Sequence, residues 1–88
     1  NYTSEETVVI EEVDAKVYPN PFSTGIEIHK PESSILKIFN HLGQIIHTDN
    51  TNSSQLKINT ADWKSGMYYL VLIEGGTIIF SEKIISIK

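Results

Sequence analysis

The feature that most constrains the fold is a series of short apolar segments, separated by turn-forming residues at intervals of about ten residues. Within these segments apolar and polar residues alternate, as in residues 26–29, where Ile26 and Ile28 are predicted to point inward. Leu36 and Ile38 share one face in the same way. This pattern predicts an all-β fold, an immunoglobulin-like antiparallel β-sandwich of seven or eight short strands.

The composition supports this prediction. Among the 88 residues are 14 Ile and five Val but only two Ala, and β-branched side chains favour an extended backbone. A chain of this length forms one small domain with a thin core. It contains no cysteine, so neither a disulfide nor a thiolate metal site can reinforce the fold.

Charge is distributed unevenly along the chain. Five of the 11 acidic residues lie in the first 14 positions, whereas residues 15–88 hold seven lysines and six acids. Residues 1–16 are therefore predicted to form an acidic linker, with a short strand at 7–13 as the alternative, and residues 17–88 to form the domain. The absence of arginine argues against a nucleic-acid partner, because phosphate recognition relies heavily on Arg.

Prolines, the most apolar run and a candidate N-cap predict the structure of three further segments. The two prolines within residues 17–22 exclude that segment from a central strand and place it at an edge or a corner. Residues 67–73, the most apolar run, are predicted to form a buried central strand. Residues 60–64 are predicted to form a single helical turn with Thr60 as its N-cap.

No set of residues is placed for catalysis. The histidines, His29, His41 and His47, lack the spacing of paired metal ligands, although His29 and His47 on adjacent strands are an alternative. Residues 49–52 offer oxygen ligands for calcium, but Asx turns explain them better. No serine lies in a nucleophile-elbow context. We therefore predict no enzymatic activity, no metal and no cofactor.

Trp63 separates two interpretations of the surface. It is predicted to cover one end of the core as a lid. The alternative is an exposed aromatic platform, which would make the chain a non-catalytic carbohydrate- or protein-binding module appended to a secreted enzyme. A purely structural spacer is a third alternative. The chain is predicted to be a monomer.

The order of motifs along residues 17–88 carries a family resemblance. The motifs are VYPNPF at 17–22, IEI at 26–28, LKIFNHLGQ at 36–44, LKI at 56–58, SGMYYL at 65–70 and KIISIK at 83–88. In this order and spacing, the chain resembles the type A C-terminal sorting domain of proteins exported by the type IX secretion system of Bacteroidota.

The resemblance implies a function for the domain as a ligand and substrate of other proteins. Such a domain follows an N-terminal cargo domain and directs the cargo from the periplasm across the outer membrane. A β-barrel shuttle protein of the outer membrane captures the domain, and a sortase typically removes it. The cargo then resides at the cell surface or is secreted, and residues 1–16 would be the linker that the sortase cleaves.

The resemblance also assigns roles to residues. Residues 84–88 are predicted to offer exposed backbone groups, alternating apolar side chains and a terminal cation to a partner; the alternative is that they only pack the last strand. The predicted recognition residues are Lys83, Ile85, Ile87 and Lys88. The motif residues predicted to be mainly structural are Tyr18, Pro19, Asn20, Pro21, Gly43, Gly66 and Tyr68. The glycines are predicted to adopt conformations that a Cβ disfavours, and Tyr68 to pack inside with its hydroxyl on a backbone group. Residues 19–21 could in addition contact the translocon.

Overall fold

The computed structural model of this chain describes residues 14–87, which form seven β-strands and no helix. The strands are β1 (Lys16–Tyr18), β2 (Gly25–His29), β3 (Ile35–Asn40), β4 (Ile45–Asp49), β5 (Gln55–Asn59), β6 (Gly66–Glu74) and β7 (Thr77–Ser86). The strand predicted at 7–13, most of the predicted linker and Lys88 lie outside the described residues. β1 begins one residue before the predicted start of the domain.

The seven strands form two sheets. One has three strands in the order β1-β2-β5, and the other has four strands in the order β4-β3-β6-β7. Each pair of neighbouring strands is antiparallel. The prediction of a small all-β sandwich is therefore confirmed, and β4 and β7 are the two edge strands of the larger sheet.

The alternation within each strand decides which residues form the core. In β2, Ile26 and Ile28 are 3% and 0% exposed, while Glu27 points to the opposite face, as a side-chain period of two requires. Leu36 and Ile38 of β3 are fully buried in the same way. The buried hydrophobic residues form one cluster: Val17, Phe22, Ile26, Ile28, Leu36, Ile38, Ile58, Tyr68, Leu70, Leu72 and Ile84.

The most apolar strand is central but is buried on one face only. β6 lies between β3 and β7, and its residues Leu70 and Leu72 are fully buried. Met67 and Tyr69, which point to the other face, are 40% and 43% exposed. The predicted burial of this strand is wrong for that second face, because none of the described strands packs over the outside of the four-stranded sheet.

The segment between β5 and β6 is a hydrogen-bonded turn and not a helical turn. The backbone N–H of Trp63 donates to the carbonyl of Thr60 at 2.9 Å. Thr60 is fully buried, and its Oγ1 donates to the carbonyl of Ser23 at 3.1 Å. The predicted N-cap is wrong because residues 60–64 form no helix, and the Thr60 side chain ties this loop to the segment before β2.

A buried lysine follows β2 directly. Lys30 is 3% exposed, and its Nζ donates to the carbonyls of Ser34 at 2.9 Å and Thr51 at 3.2 Å. Longer contacts reach the carbonyls of Pro31 at 3.4 Å and Glu32 at 3.5 Å. The ammonium therefore joins the β2–β3 loop to the β4–β5 loop, and backbone oxygens replace the water that a buried charge loses.

Candidate functional site

The last strand is an edge strand whose outer edge is largely covered near its C-terminal end. The N–H of Ile85 donates to Oδ1 of Asn20 at 3.1 Å. The N–H of Phe22 donates to the carbonyl of Ile85 at 2.8 Å, and the N–H of Ile87 donates to the carbonyl of Phe22 at 2.8 Å. The prediction that residues 84–88 offer free backbone groups is therefore wrong for Ile85 and Ile87, because residues 20–22 run beside them.

The side chains at this end of β7 alternate between the core and the solvent. Ile84 and Ser86 are 0% and 2% exposed, whereas Ile85 and Ile87 are 38% and 55% exposed. Lys83 is also exposed and lies on the same face as Ile85, two residues away. The structure thus brings three of the four predicted recognition side chains onto one surface; Lys88 lies outside the described residues. Their role in recognition stays a prediction.

Asn20 substitutes for a strand residue beside β7. It lies between Pro19 and Pro21, whose preceding peptide bonds are both cis, and neither proline has an N–H to offer to a sheet. The Asn20 side chain instead supplies a donor and an acceptor, since its Nδ2 donates to the carbonyl of Lys83 at 3.0 Å and its Oδ1 accepts from the N–H of Ile85. Nδ2 also lies 3.2 Å from the carboxylate of Glu82. The Pro-Asn-Pro corner therefore fixes the C-terminal end of β7 to the start of the domain.

We expect Asn20→Ala to lower the free energy of unfolding by about 1 kcal/mol, because it removes hydrogen bonds to a partly solvated strand edge. Asn20→Asp is expected to cost more, about 1–2 kcal/mol. It keeps an acceptor for Ile85 but replaces the donor with a carboxylate that faces the Lys83 carbonyl and the Glu82 carboxylate. Urea denaturation of the purified domain measures both values.

Two further variants make this test specific to Asn20. Asn59→Asp is the matched control, because Oδ1 of Asn59 accepts from the N–H of Ala61 at 2.9 Å and a carboxylate preserves that bond. Glu82→Gln is expected to recover part of the loss in the Asn20→Asp background. Equal stability of Asn20→Asp and the unmodified domain would contradict the proposed role of Nδ2.

Tyr18 lies in a polar cluster on the outside of the three-stranded sheet. Its hydroxyl is 2.8 Å from Nε2 of His29, and the Glu27 carboxylate is 3.4 Å from the same nitrogen. Desolvation of the hydroxyl and the nearby Glu27 carboxylate raise the pKa of Tyr18. Desolvation alone would raise the pKa of Glu27, but hydrogen bonds from Tyr18, His29 and Gln55, with the charge of Lys57, lower it.

This cluster borders an open groove of about 570 Å³ that Tyr18 lines together with Pro19, Glu27, Lys57 and Asn59, among others. Tyr18 is 42% exposed, although it is predicted to be mainly structural. The groove is shallow and lies along the sheet surface, and no residue in it is placed as a nucleophile beside a base.

The remaining motif residues occupy turns and the core. Gly43 has a φ of 83° in the β3–β4 hairpin, where a Cβ would be strained. The hairpin is closed by the Asn40 side chain, whose Oδ1 accepts from the N–H groups of Leu42 and Gln44. Tyr68 is 7% exposed, and its hydroxyl donates to the carbonyl of Lys64 at 2.6 Å, which is the packing predicted from the sequence.

The histidines do not converge. His29 lies in β2 of the smaller sheet and His47 in β4 of the larger one, so the alternative of adjacent strands is wrong. Asp49 forms an Asx turn, accepting from the N–H and the Oγ1 of Thr51 at 2.9 and 2.6 Å. These two hydrogen bonds lower the pKa of Asp49. Within residues 14–87 no group of three His, Cys, Asp or Glu side chains could hold a metal ion.

Trp63 packs over one end of the core. Its ring is 5.8 Å from the Phe22 ring, edge to face, and 5.1 Å from the Tyr68 ring. The indole also borders an open groove of about 460 Å³, whose rim includes Asn40, His41 and Asp62 among other residues. The geometry favours the lid over the sugar platform, because the indole is partly buried against the core and packs on two neighbouring rings.

The sequence analysis predicted neither the bonds from Asn20 to β7 nor the burial of Lys30. The bonds from Asn20 to β7 span 63 and 65 residues, and no local pattern indicates which strand an isolated asparagine will meet. A signal was nevertheless present for Asn20, since the two prolines beside it have no N–H to offer to a sheet, which leaves the asparagine side chain as a donor and acceptor close to them. Lys30 gave no signal, because a lysine at a strand end is usually exposed.

These features define a class of protein: a small β-sandwich module that presents an exposed row of side chains on its last strand and carries no catalytic constellation in its described residues. Residues 16–88 match the family of secretion-system C-terminal sorting domains, and the chain belongs to that family. The resemblance to type IX sorting domains is thereby confirmed. The domain is a sorting signal that is attached to a cargo protein.

A curated relative shows the context in which such a domain occurs. The chain is 35% identical over 72 residues to the ulvan lyase NLR42 of Nonlabens ulvanivorans. The match covers 78% of this chain but only 14% of the lyase. The similarity therefore concerns a small part of that enzyme, and a lyase activity belongs to the relative. Within the described residues there is no helix with the length and apolar character needed to cross a membrane.

Proposed function

We propose that the chain is the type IX sorting signal of a cargo protein that precedes it, and that it acts as a ligand rather than as a catalyst. The cargo passes through the periplasm, a β-barrel shuttle protein of the outer membrane captures the folded domain, and a sortase then removes it. The observation that carries this proposal is the family match over residues 16–88. The exposed row on β7 gives the shuttle protein a defined surface to bind.

The recognition side chains in this proposal are Lys83, Ile85, Ile87 and Lys88. Support comes from the exposure of Ile85 and Ile87 on a strand that is fixed on both sides, by β6 and by residues 20–22. A rigid row of apolar side chains binds with little loss of conformational entropy. Recognition in this form uses side chains rather than free backbone groups, so the strand need not leave the sheet.

Residues 1–16 are proposed to be the linker between the cargo and the domain, where the sortase cleaves. Five of the first 14 residues are acidic, and like charges in a linker repel one another. The domain itself begins at β1, whose pairing with β2 starts at Lys16 opposite His29. Cleavage before β1 would release the cargo and leave the pairing of β1 with β2 intact.

The proposal is tested by secretion of a reporter. A fluorescent protein with a periplasmic signal peptide is fused to the N-terminus of the full 88-residue chain and expressed in a host that has the type IX system. We expect the reporter in the medium or at the cell surface. The double variant Ile85→Ser with Ile87→Ser is expected to reduce the exported fraction at least tenfold, because it removes the apolar row without touching the core.

Leu42→Ser is the matched control, since Leu42 is 71% exposed in the β3–β4 hairpin. Deleting the last strand residues would be a poorer test, because it also removes the fully buried Ile84. A reporter that stays in the periplasm although its domain melts cooperatively would refute the sorting function. Normal export of the double variant would instead refute the assignment of Ile85 and Ile87.

The alternative of a sugar-binding module has weaker support. Its best platform, Trp63, is partly buried against Phe22 and Tyr68. The groove beside Trp63 has polar groups on its rim, but the two rings that contact the indole, Phe22 and Tyr68, are themselves buried. Oligosaccharide binding that is lost in Trp63→Ala but retained in Tyr69→Ala would favour this alternative.

A further inference from the structure

The outer face of the four-stranded sheet is apolar although it faces the solvent. Tyr69 lies directly opposite Phe39 of β3 on one side and Lys83 of β7 on the other. Met67 lies opposite Ile85 in the same way, and Ile45 of β4 lies opposite Phe39. Four adjacent strands therefore contribute to one continuous surface, which we call the Tyr69 face.

Several members of the Tyr69 face are substantially exposed. Ile45 is 53% exposed and Ile85 is 38% exposed, with Met67 and Tyr69 between these values. In an antiparallel sandwich the outward residues are normally polar. Contiguous exposed apolar surface on a soluble domain marks an interaction site or an aggregation liability. The fold does not need these side chains for its core, since the inward residues of the same strands already fill it.

The smaller sheet shows that an apolar outer face is not a requirement of this sandwich. Its outward positions carry Lys16, Glu27, His29, Gln55 and Lys57, with the aromatic Tyr18 opposite Glu27, in cross-strand positions comparable to those of the Tyr69 face. Both sheets thus have apolar inward positions, but their outer faces differ. The difference points to a partner that covers one sheet and leaves the other in water.

The charges on the Tyr69 face have one sign. Lys37 of β3 lies opposite Val71 of β6, and Lys83 lies beside Tyr69. None of the outward strand positions of the four-stranded sheet in the described residues is an aspartate or a glutamate. Two ammonium groups that flank an apolar and aromatic centre complement a surface that has carboxylates around an apolar patch.

The composition of the face favours a protein over a lipid surface. Tyr and Met are enriched in protein–protein interfaces, and a central aromatic residue is the usual position of an energetic hot spot. Binding to anionic lipids relies on clusters of about four to eight basic residues, whereas this face has two lysines among its described residues. The lysines are separated across the sheet, as partners of individual carboxylates would be.

We propose that the Tyr69 face is the surface by which the domain docks on its secretion partner, and that the partner presents an apolar protein surface with carboxylates opposite Lys37 and Lys83. This inference rests on the proposed sorting function and deepens it. It extends recognition from the end of β7 to side chains of β3, β4 and β6. Tyr69 is the central contact, and Lys37 sets the orientation of the partner.

The test measures direct binding and export with the same variants. The full chain, fused to the reporter, is titrated with the purified outer-membrane shuttle protein in detergent. We expect Tyr69→Ser to weaken binding at least tenfold and Lys37→Glu to weaken it by a similar factor, and both to reduce export. The matched controls Tyr18→Ser and Lys57→Glu make the same changes on the smaller sheet and are expected to stay within twofold of the unmodified chain.

Each outcome decides the inference. If the unmodified chain is bound and exported, and the folded Tyr69→Ser and Lys37→Glu variants behave as it does, the inference is overturned while the sorting function stands. If the unmodified chain is neither bound nor exported, both fail. Tyr69-dependent binding to vesicles made of equal amounts of phosphatidylglycerol and phosphatidylcholine, without binding to the shuttle protein, would overturn the inference that the partner is a protein. A Tyr69-dependent dimer in light scattering would show that a second copy covers the face.

Discussion

Phe22→Ala is expected to lower the free energy of unfolding by about 3–5 kcal/mol, the largest effect of any single substitution considered for this domain. Phe22 is 1% exposed, and its ring contacts those of Trp63 and Tyr68 at centroid distances of 5.8 and 6.1 Å. Alanine leaves a cavity that the strands on either side cannot fill. Since domains of this size have a total stability of only about 4–11 kcal/mol, the variant will be marginally folded.

The Phe22→Ala variant separates the contribution of the ring to stability from that of the backbone hydrogen bonds of Phe22. Its hydrogen bonds with Ile85 and Ile87 involve only main-chain atoms, so Phe22→Ala retains them and reports the loss of the ring. Phe22→Leu is expected to cost less, because it keeps most of the buried volume. Tyr69→Ala is the control for an exposed aromatic residue. Urea denaturation that gives the same stability for Phe22→Ala and Tyr69→Ala would refute the packing described for Phe22.

The Phe22 variant also bears on the proposed function. Residues 20–22 hold the outer edge of β7, so a domain that has not closed this corner does not present Ile85 and Ile87 in a fixed row. Under the proposed function, export of the reporter is expected to fall together with the stability of the Phe22 variants. Recognition of the last strand would then depend on folding of the complete domain, because the corner and the strand lie at opposite ends of the described sequence.

Lys30→Met is expected to lower the free energy of unfolding by about 2–4 kcal/mol. The methionine side chain has a similar length, but it leaves the carbonyls of Ser34 and Thr51 without the ammonium that bonds them at 2.9 and 3.2 Å. Buried acceptors without partners cost about 1–3 kcal/mol each. The loss will appear as a lower midpoint in urea denaturation with an unchanged slope.

Lys57→Met is the matched control for Lys30→Met. Lys57 lies on the exposed face of β5, and its replacement is expected to change stability by no more than about 0.5 kcal/mol. Lys30→Arg tests the geometry, since a larger, planar guanidinium presents its donors differently from the compact ammonium that the four carbonyls surround. Two lysine-to-methionine variants of equal stability would show that water replaces the ammonium, contrary to the burial of Lys30.

Local sequence patterns determined the facing of the strands, the position of a hairpin and the family of this protein. The period-two alternation of Ile26 with Ile28 and of Leu36 with Ile38 fixed which face of each strand is inward, because successive side chains of a strand must point to opposite sides. Gly43 and the hairpin that contains it follow from a turn that needs positive φ. The ordered motifs between residues 17 and 88 were sufficient to indicate the family, and with it the sorting function.

The tertiary structure alone decided how these strands are covered. Sequence alternation says that Tyr69 and Ile85 point away from the core, but only the sheet order shows that they form one apolar face with nothing described above it. The bond from Asn20 to Ile85 and the burial of Lys30 were also decided at this level. The physical reason is the range of the interactions. A side-chain period is set by neighbouring residues, whereas the partner of an edge strand or of a buried charge depends on chain segments that are distant in sequence and meet only when the two sheets have packed.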